Sequence, residues 1–382
     1  MDWQLTEEQR ALKQTVREFA EKEIRPHVRE WDEQARFHAE LIPQMGELGL
    51  LGIVIPEQYG GAGLGYVEQA LAMEELARVD PAVALTVAGH ASLCSSHILQ
   101  SGSEEQRSRY LPGLASGKKL GCWSLTEPGA GSDASGTRTR AERCPQGWRI
   151  NGNKTFTTNG SHADVCVVMA LTSAGHGHHG ISAFLVERGT KGFRVGREER
   201  KLGMCSSDTS EMIFEDCVVP EANLLGEEGR GFFDSLHVLD KGRIAIAALS
   251  VGLAQGAFEA ALRYAQERRQ FGKAIAEFQG MQWKLADMAT ELEASRLLTY
   301  QAARRQDAGL SITKEASMAK LFASEMAVRV ADQAVQIYGG YGFLKDYPVE
   351  KYYRDVKLCT IGEGTSEIQR LVIARQLLQG NV

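Results

Sequence analysis

The amino-acid sequence predicts an α+β protein of several domains, and three observations support this. Helical patterns occupy residues 1–120, short β-rich runs separated by turns occupy 121–233, and long helical segments return over 234–382. This order is not the strand–helix alternation of a doubly wound sheet. We therefore expect an N-terminal all-α domain, a middle antiparallel β domain and a C-terminal four-helix bundle with those three sets of bounds.

Capping signals mark the helices of the first region. Thr6 and Gln9 have the spacing of a capping box, in which each side chain binds the backbone N–H of the other residue. Ser103 and Gln106 repeat the pattern. Between them, apolar periodicity and a following proline predict a helix over 67–79.

Short apolar runs with turn residues between them define the middle region. Runs at 165–171, 181–186 and 210–219 have the β-branched and aromatic content of strands. An Asn-Gly pair at 151–152 predicts a tight hairpin turn there.

Long helical segments define the last region. They are predicted at 242–268, 279–306, 313–338 and 366–378. Alanines at helical spacing give the third segment a small-residue face, and short connections between long helices indicate a bundle.

Composition excludes several classes of protein. The 382 residues carry a net charge of −6, so no basic field indicates nucleic-acid binding. No run approaches the roughly 18 consecutive apolar residues of a membrane span. Residues 1–4 lack the basic and apolar regions of a signal peptide, so we expect a cytoplasmic protein with no membrane partner.

The metal-ligating residue types show no convincing site. The seven cysteines are odd in number and form no C-x-x-C pair, which indicates reduced thiols. His176, His178 and His179 cluster between two predicted strands, where a solvated hairpin is favoured over a metal site. We therefore expect no metal.

Four segments combine glycine with polar or aromatic residues and could contact a ligand. They are WSLTEPGAGSD at 123–133, FTTNG at 156–160, RRQFG at 268–272 and IGEGTSEIQR at 361–370. Each has an ordinary interpretation as well. These are a polar turn, a strand end, a basic helix C-terminus closed by glycine, and a helix N-terminus.

Glu363 is the candidate base. It lies between two glycines, just before a helix that Ser366 and Gln369 are predicted to open with a capping box. Burial would raise the pKa of its carboxyl group towards that of a useful base. The alternative is an acidic residue that favours a helix N-terminus.

Together, and with QIYGGYG at 336–342, these segments resemble the acyl-CoA dehydrogenase family of flavoenzymes over nearly the whole chain. The resemblance implies non-covalent FAD between the β domain and the bundle, and completion of the FAD site across a subunit interface. It also implies a homotetramer built as a dimer of dimers, an acyl-CoA substrate and an electron-transfer flavoprotein as acceptor.

The resemblance also implies roles for individual residues. The positions that match the family's FAD contacts are Trp123, Leu125, Thr126, Gly131, Ser132, Phe156, Thr157, Thr158, Arg268, Phe271, Gln279, Gln336, Ile337, Tyr338, Gly339, Gly340, Thr365, Ser366 and Glu367. The positions that match substrate contacts are Ser132, Asp240, Gly242, Arg243 and Gly364.

Glu363 matches the family base, which removes the α-proton of the thioester while the β-hydride passes to flavin N5, giving a trans-2-enoyl-CoA. Some branches place the base on the first bundle helix, but the matching residue here is Gly242. Phe156 stands where many members have Trp, and Gly362 where many straight-chain members have Tyr. The second difference indicates a wider pocket for branched, cyclic or bulky acyl groups.

Three alternative functions remain open at this stage. Two are enzymes, an acyl-CoA oxidase and an acyl-carrier-protein-linked dehydrogenase of a biosynthetic pathway. The third is a catalytically silent scaffold protein.

Overall fold

The computed structural model describes residues 4–173 and 177–380. The first three residues of the N-terminal segment considered above, and His176, lie outside this range. Within it, helices, then a β-sheet, then helices follow one another along the chain, as predicted.

The N-terminal region is helical. Its α-helices are α1 (Glu7–Phe19), α2 (Val28–Gln34), α3 (Leu41–Glu47), α4 (Tyr66–Val79), α5 (Pro81–Val87), α6 (Ser96–Ser101) and α7 (Glu104–Ala115). Both predicted capping boxes are present, at Thr6 and at Ser103. A π-helical segment, Ala88–Ser95, joins α5 to α6 and was not predicted.

A twisted sheet follows. Its strands are β1 (Gly121–Ser124), β2 (Arg140–Cys144), β3 (Gly147–Thr158), β4 (Val165–Leu171), β5 (Ile181–Glu187), β6 (Phe193–Glu198), β7 (Thr209–Val219) and β8 (Leu224–Leu225). The strand order is β6-β7-β3-β2-β4-β5-β8, with β1 against β4. The three predicted runs all form strands. The sheet is not purely antiparallel, however, because β1 and β2 each pair with β4 in parallel.

The hairpin predicted at 151–152 is wrong. Those residues lie inside β3, and the turn between β2 and β3 follows Cys144, which pairs with Gly147. Gly152 instead lies at a bulge, with φ +146°, where a Cβ would come within 2.6 Å of Thr139 Oγ1. Glycine is therefore required there by a strand bulge and a close approach.

The C-terminal region is a helical bundle. It contains α8 (Gly231–Glu267), a small hairpin of β9 (Arg269–Gln270) and β10 (Lys273–Ala274), α9 (Gln279–Asp307), α10 (Thr313–Tyr338), α11 (Val349–Asp355) and α12 (Ser366–Leu378). The bounds predicted for α10 and α12 are confirmed. The predicted start of α8 at residue 242 is wrong because its buried face already begins at Gly231.

The core joins the two helical regions, because α4 packs along α8 and α8 along α10. Two helical stretches, Pro81–Ser101 and Gly231–Glu267, are long and apolar enough to cross a membrane. Both are mostly buried inside the protein, as core helices are. All seven cysteines are free thiols.

Candidate active site

Glu363 lies in a tight turn immediately before α12. Its φ is +52° and that of Gly364 is +92°, so both residues adopt left-handed backbone conformations. This conformation is uncommon for a residue with a side chain, and it is found most often where function requires it. Glu363 Oε2 is buried without a hydrogen-bond partner among the described residues.

Burial sets the acidity of this carboxyl group. It raises the pKa of Glu363 to about 7, and the positive charges of Lys320 and Arg243 oppose that rise. A base with such a pKa is partly ionised at neutral pH and still holds a proton strongly once it has accepted one.

Gly242 on α8 makes room for the carboxylate. A Cβ at Gly242 would lie 2.1 Å from Glu363 Oε2 and 3.0 Å from Leu93 Cδ2. The space that a side chain at position 242 would occupy is thus filled by the carboxylate of Glu363. This observation explains why the sequence has glycine at that point of a buried helix.

Arg243 and Asp240 form a buried pair next to this site. Arg243 Nη1 donates to Asp240 Oδ1 at 2.5 Å, and Thr313 Oγ1 donates to Asp240 Oδ2 at 2.6 Å. Arg243 Nε is buried without a partner among the described residues. Asp240 and Thr313 also line a cavity of about 630 Å³ between α6, α8 and the segment that joins α9 to α10.

The β1 and β3 segments lie next to each other. Ser124 Oγ and Thr157 Oγ1 lie 2.7 Å apart, and Thr155 N–H donates to Thr126 O at 2.9 Å. The Trp123 side chain is fixed by a hydrogen bond, in which its indole N–H donates to His97 Nδ1 at 3.0 Å.

Phe156 is turned out of the sheet by a bulge. The register between β3 and β7 shifts between Lys154 and Thr157, and Phe156 has φ +56°. As a result its side chain is 65% exposed although both neighbours are buried or half-buried. A bulge of this kind commonly re-aims a side chain beside an active site.

The π-helical segment connects these strands to Glu363. A Cβ at Gly89 would lie 3.1 Å from Thr158 Cγ2, and Leu93 from the same segment reaches Gly242. The end of β3 therefore lies against this segment, and Leu93 of the same segment lies close to the candidate base. π-helical segments occur frequently at functional sites.

Lys154 is a residue that sequence reasoning missed. It is fully buried, and its Nζ donates to Leu125 O at 3.0 Å and to Glu127 Oε1 at 2.8 Å. Glu127 in turn accepts from the N–H groups of Arg138 and Thr139. This buried pair ties down the 125–133 loop. A Cβ at Gly129 or Gly131 would contact nothing within 4 Å, so the loop backbone is open to a ligand.

A second group of predicted residues lies at the end of the bundle. A cavity of about 680 Å³ is lined by Arg268, Phe271, Ile337, Tyr338, Gly339 and Gly340, with apolar neighbours. Its lining includes no residue of the sheet. Gln279 and Gln336 are exposed near the ends of α9 and α10.

The interpretation of 268–272 as a helix end closed by glycine is wrong. The helix α8 ends at Glu267, and Arg268 is extended. Phe271 and Gly272, with φ +50° and +82°, form the tip of the β9–β10 hairpin, where the Phe271 side chain is 92% exposed.

The capping box predicted for Ser366 is also wrong. Thr365 is the N-cap, and its Oγ1 accepts from Ile368 N–H at 3.4 Å. Gln369 instead donates to the carbonyls of Glu363 and Gly364. Ser366 Oγ is buried without a partner among the described residues, and Glu367 is exposed beside it.

These residues fit a flavin dinucleotide. An exposed aromatic ring at Phe156, hydroxyl groups at the end of β3 and an open glycine loop suit a flat heterocycle with polar edges. The unpartnered Ser366 hydroxyl and the Arg268 guanidinium suit hydroxyl and phosphate groups.

Comparison with known proteins identifies the family. Models of the N-terminal, middle and C-terminal domains of acyl-CoA dehydrogenases match residues 6–118, 122–217 and 229–378. The chain belongs to the acyl-CoA dehydrogenase family. It is an FAD-dependent oxidoreductase, as the members of this family are.

Individual relatives agree with this assignment. The short-chain specific acyl-CoA dehydrogenase of Clostridium acetobutylicum is 46% identical, covering 99% of this chain and 100% of that protein. The butyryl-CoA dehydrogenase structure from Megasphaera elsdenii is 43% identical with a TM-score of 0.97, covering 99% of this chain and 100% of that one.

A chain from a structural study of the electron transferring flavoprotein of Acidaminococcus fermentans is also similar. It is 47% identical with a TM-score of 0.98, covering 99% of this chain and 100% of that chain.

Proposed function

We propose that this dehydrogenase oxidises short-chain acyl-CoA thioesters to trans-2-enoyl-CoA, with Glu363 as the catalytic base. The observation that carries the proposal is the carboxyl group of Glu363, whose Oε2 is buried without a partner among the described residues and packs against Gly242. Burial raises the pKa of this group to about 7. The short-chain and butyryl-CoA relatives support the substrate class.

The chain supplies binding, proton transfer and exclusion of water. Ionised Glu363 removes the α-proton, and its own backbone N–H helps to stabilise the negative charge that develops on the thioester oxygen. FAD, when bound, supplies the acceptor for the β-hydride. The apolar contact from Leu93 and the buried α8 face keep water away from the carboxylate.

We assign substrate contacts to both sides of the base. Gly364 and Ser132 belong to the two loops that flank the reacting carbons, while Gly242, Arg243 and Asp240 belong to α8. The cavity beside Asp240 is also lined by Arg230 and Lys241, whose positive charges suit the phosphates of CoA.

We assign FAD binding to two subunits. In this proposal, the flavin is held by the middle-region residues and by those around Thr365. The site is completed by a partner subunit, through the residues at the end of its bundle that include Arg268 and Phe271. The separation of the two groups within one chain and the exposed Phe271 ring support this arrangement. We propose a homotetramer, built as a dimer of dimers and located in the cytoplasm.

We further propose that electrons pass to an electron-transfer flavoprotein. The similarity to a chain from the Acidaminococcus fermentans study supports this acceptor. Oxygen consumption during turnover would instead indicate an oxidase.

The acyl specificity is tested with a panel of thioesters. The nearest atom to a Cβ at Gly362 would be Leu358 O at 3.5 Å, an ordinary van der Waals contact, so this position leaves space for a side chain next to the base. We expect butyryl-, isobutyryl- and isovaleryl-CoA to bleach the flavin under anaerobic conditions, and long straight chains to react poorly. Gly362→Tyr should selectively slow the branched substrates.

The measurement is the rate of anaerobic flavin reduction for each thioester, in the wild type and in Gly362→Tyr. Exclusive use of straight chains, unchanged by Gly362→Tyr, would refute the role of Gly362. Failure of every short-chain thioester would refute the substrate class.

A further inference from the structure

Lys320 on α10 is a charged residue to which neither the reaction nor the FAD site above assigns a role. Its side chain is fully buried. Its Nζ donates to Gly364 O at 2.7 Å, and it forms no ion pair with any carboxylate in the described ranges. Burying an ammonium group is costly unless it makes compensating interactions. The carbonyl next to the base is therefore the main direct contact of this charge.

Gln369 on α12 binds the same turn from another side. Its Nε2 donates to Glu363 O at 3.2 Å and to Gly364 O at 2.9 Å. The Gly364 carbonyl thus accepts from two side chains on different helices. Because Glu363 has positive φ, these bonds fix a backbone conformation that is unfavourable for a residue with a side chain. We call Lys320 and Gln369 the turn clamp.

Lys320 also contributes charge near the carboxylate. The groups that face Glu363 are Arg243 from α8, Lys320 from α10 and the apolar Leu93 from the π-helical segment. Arg243 is paired with Asp240, whereas Lys320 has no such direct partner. Burial lowers the pKa of Lys320 to about 8, and Arg243 acts in the same direction. Cys359, Glu363 and Glu367 oppose that lowering. Lys320 therefore remains mostly protonated at neutral pH.

We propose that Lys320 is a positioning residue for the base. Together with Gln369 it fixes the turn at Glu363 and Gly364, and its ammonium charge stabilises the ionised form of the Glu363 carboxyl group. This inference rests on the proposed role of Glu363. It adds to that role a charged residue, Lys320, and a neutral residue, Gln369, that hold the turn.

Substitutions of Lys320 and of Gln369 should change the pH dependence of the reaction differently. Lys320→Met removes the charge, so the midpoint of the acid limb of kcat/KM should move upwards by about one pH unit. Below both midpoints the rate would then fall about tenfold. Gln369→Met removes hydrogen bonds but no charge, so it should lower the rate at every pH and leave the midpoint in place.

The measurement is anaerobic flavin reduction by butyryl-CoA across the pH range, with bound FAD and thermal stability recorded for each variant. Lys284→Met is the matched control, because Lys284 bonds Gln333 on the bundle surface away from the turn. It should leave the midpoint unchanged. If Lys320→Met does not fold, Lys320→Gln tests the same loss of charge.

An unmoved midpoint in the folded Lys320 variant would overturn the proposal. An equal shift in Lys284→Met would also overturn it, since the effect would then be nonspecific. A failure of the proposed function can be distinguished from a failure of this inference. Flavin reduction that persists in Glu363→Gln would refute the assignment of Glu363 as the base.

Discussion

At the scale of single residues, the candidate site is marked by unusual backbone conformations. Phe156, Phe271 and Glu363 all have positive φ although none is glycine. Such conformations cost of order 1–3 kcal/mol each and persist only where the surroundings hold them. At Glu363 the turn is held by Gln369, which donates to the Glu363 carbonyl, and by Lys320, which donates to the carbonyl of Gly364. These backbone conformations determine where the side chains point. The Phe156 and Phe271 side chains point towards solvent, and the Glu363 side chain points into the protein.

Gly242→Ala tests how closely the base is positioned. The new methyl group would overlap Glu363 Oε2, because a Cβ at Gly242 lies 2.1 Å from that atom. We expect a loss of about 100-fold in flavin reduction, typical of a displacement near 1 Å. Overpacking should cost about 1–3 kcal/mol of unfolding free energy. Stopped-flow reduction and denaturant unfolding measure the two effects.

The control for this prediction is Gly113→Ala in α7, where a Cβ would meet only the flexible Lys119 side chain, at 3.2 Å. It should leave the reduction rate unchanged. An equally active Gly242→Ala would show that the carboxylate does not react from the position described.

At the scale of elements, the sequence predicts regular structure better than irregular structure. Helical periodicity predicts the bounds of α10, which buries a small-residue face although its N-cap residue, Ile312, makes no capping hydrogen bond. The bounds of α12 are also as predicted, but its N-cap is Thr365 and not the expected box at Ser366. The hairpin turn predicted from the Asn-Gly pair at 151–152 is wrong because a strand bulge and a hairpin turn both favour glycine. Only the pairing of β3 with β7 distinguishes the two. The start of α8 lies at Gly231, eleven residues before the predicted start.

The site shows the same division. Residues within recognisable motifs, such as Thr157 and Glu363, can be predicted as site residues from the sequence. Lys154 and Lys320 cannot, because lysine is almost always exposed and nothing in a single sequence indicates a buried one. The π-helical segment, Ala88–Ser95, was also missed, since its register depends on packing against α8 and β1.

At the scale of the whole molecule, one chain does not bring all the predicted FAD residues together. The group around β1 and β3 and the group lining the second cavity belong to different parts of the chain. Phe271 is almost fully exposed, and it lines the second cavity together with other apolar side chains. Both features are explained if two subunits share each cofactor.

Phe271→Asp tests this assembly. The charge would be buried at the proposed interface, so we expect weaker association and a parallel loss of FAD. Sedimentation velocity and the flavin-to-protein absorbance ratio measure the two effects. Leu64→Asp, on another exposed apolar residue, is the matched control and should change neither. Unchanged assembly and FAD content in Phe271→Asp would contradict the shared site.

The most direct test of the account is flavin reduction by butyryl-CoA, measured anaerobically as a function of pH in the wild type and in Glu363→Gln. Because the base must be ionised, the wild-type rate should rise with pH through about 7, the pKa to which burial raises Glu363. Glu363→Gln should retain FAD and lose roughly 10²–10⁴-fold in rate at all pH values. A Glu363→Gln variant that still reduces flavin at near wild-type rates, with the same pH dependence, would contradict the assignment of the base.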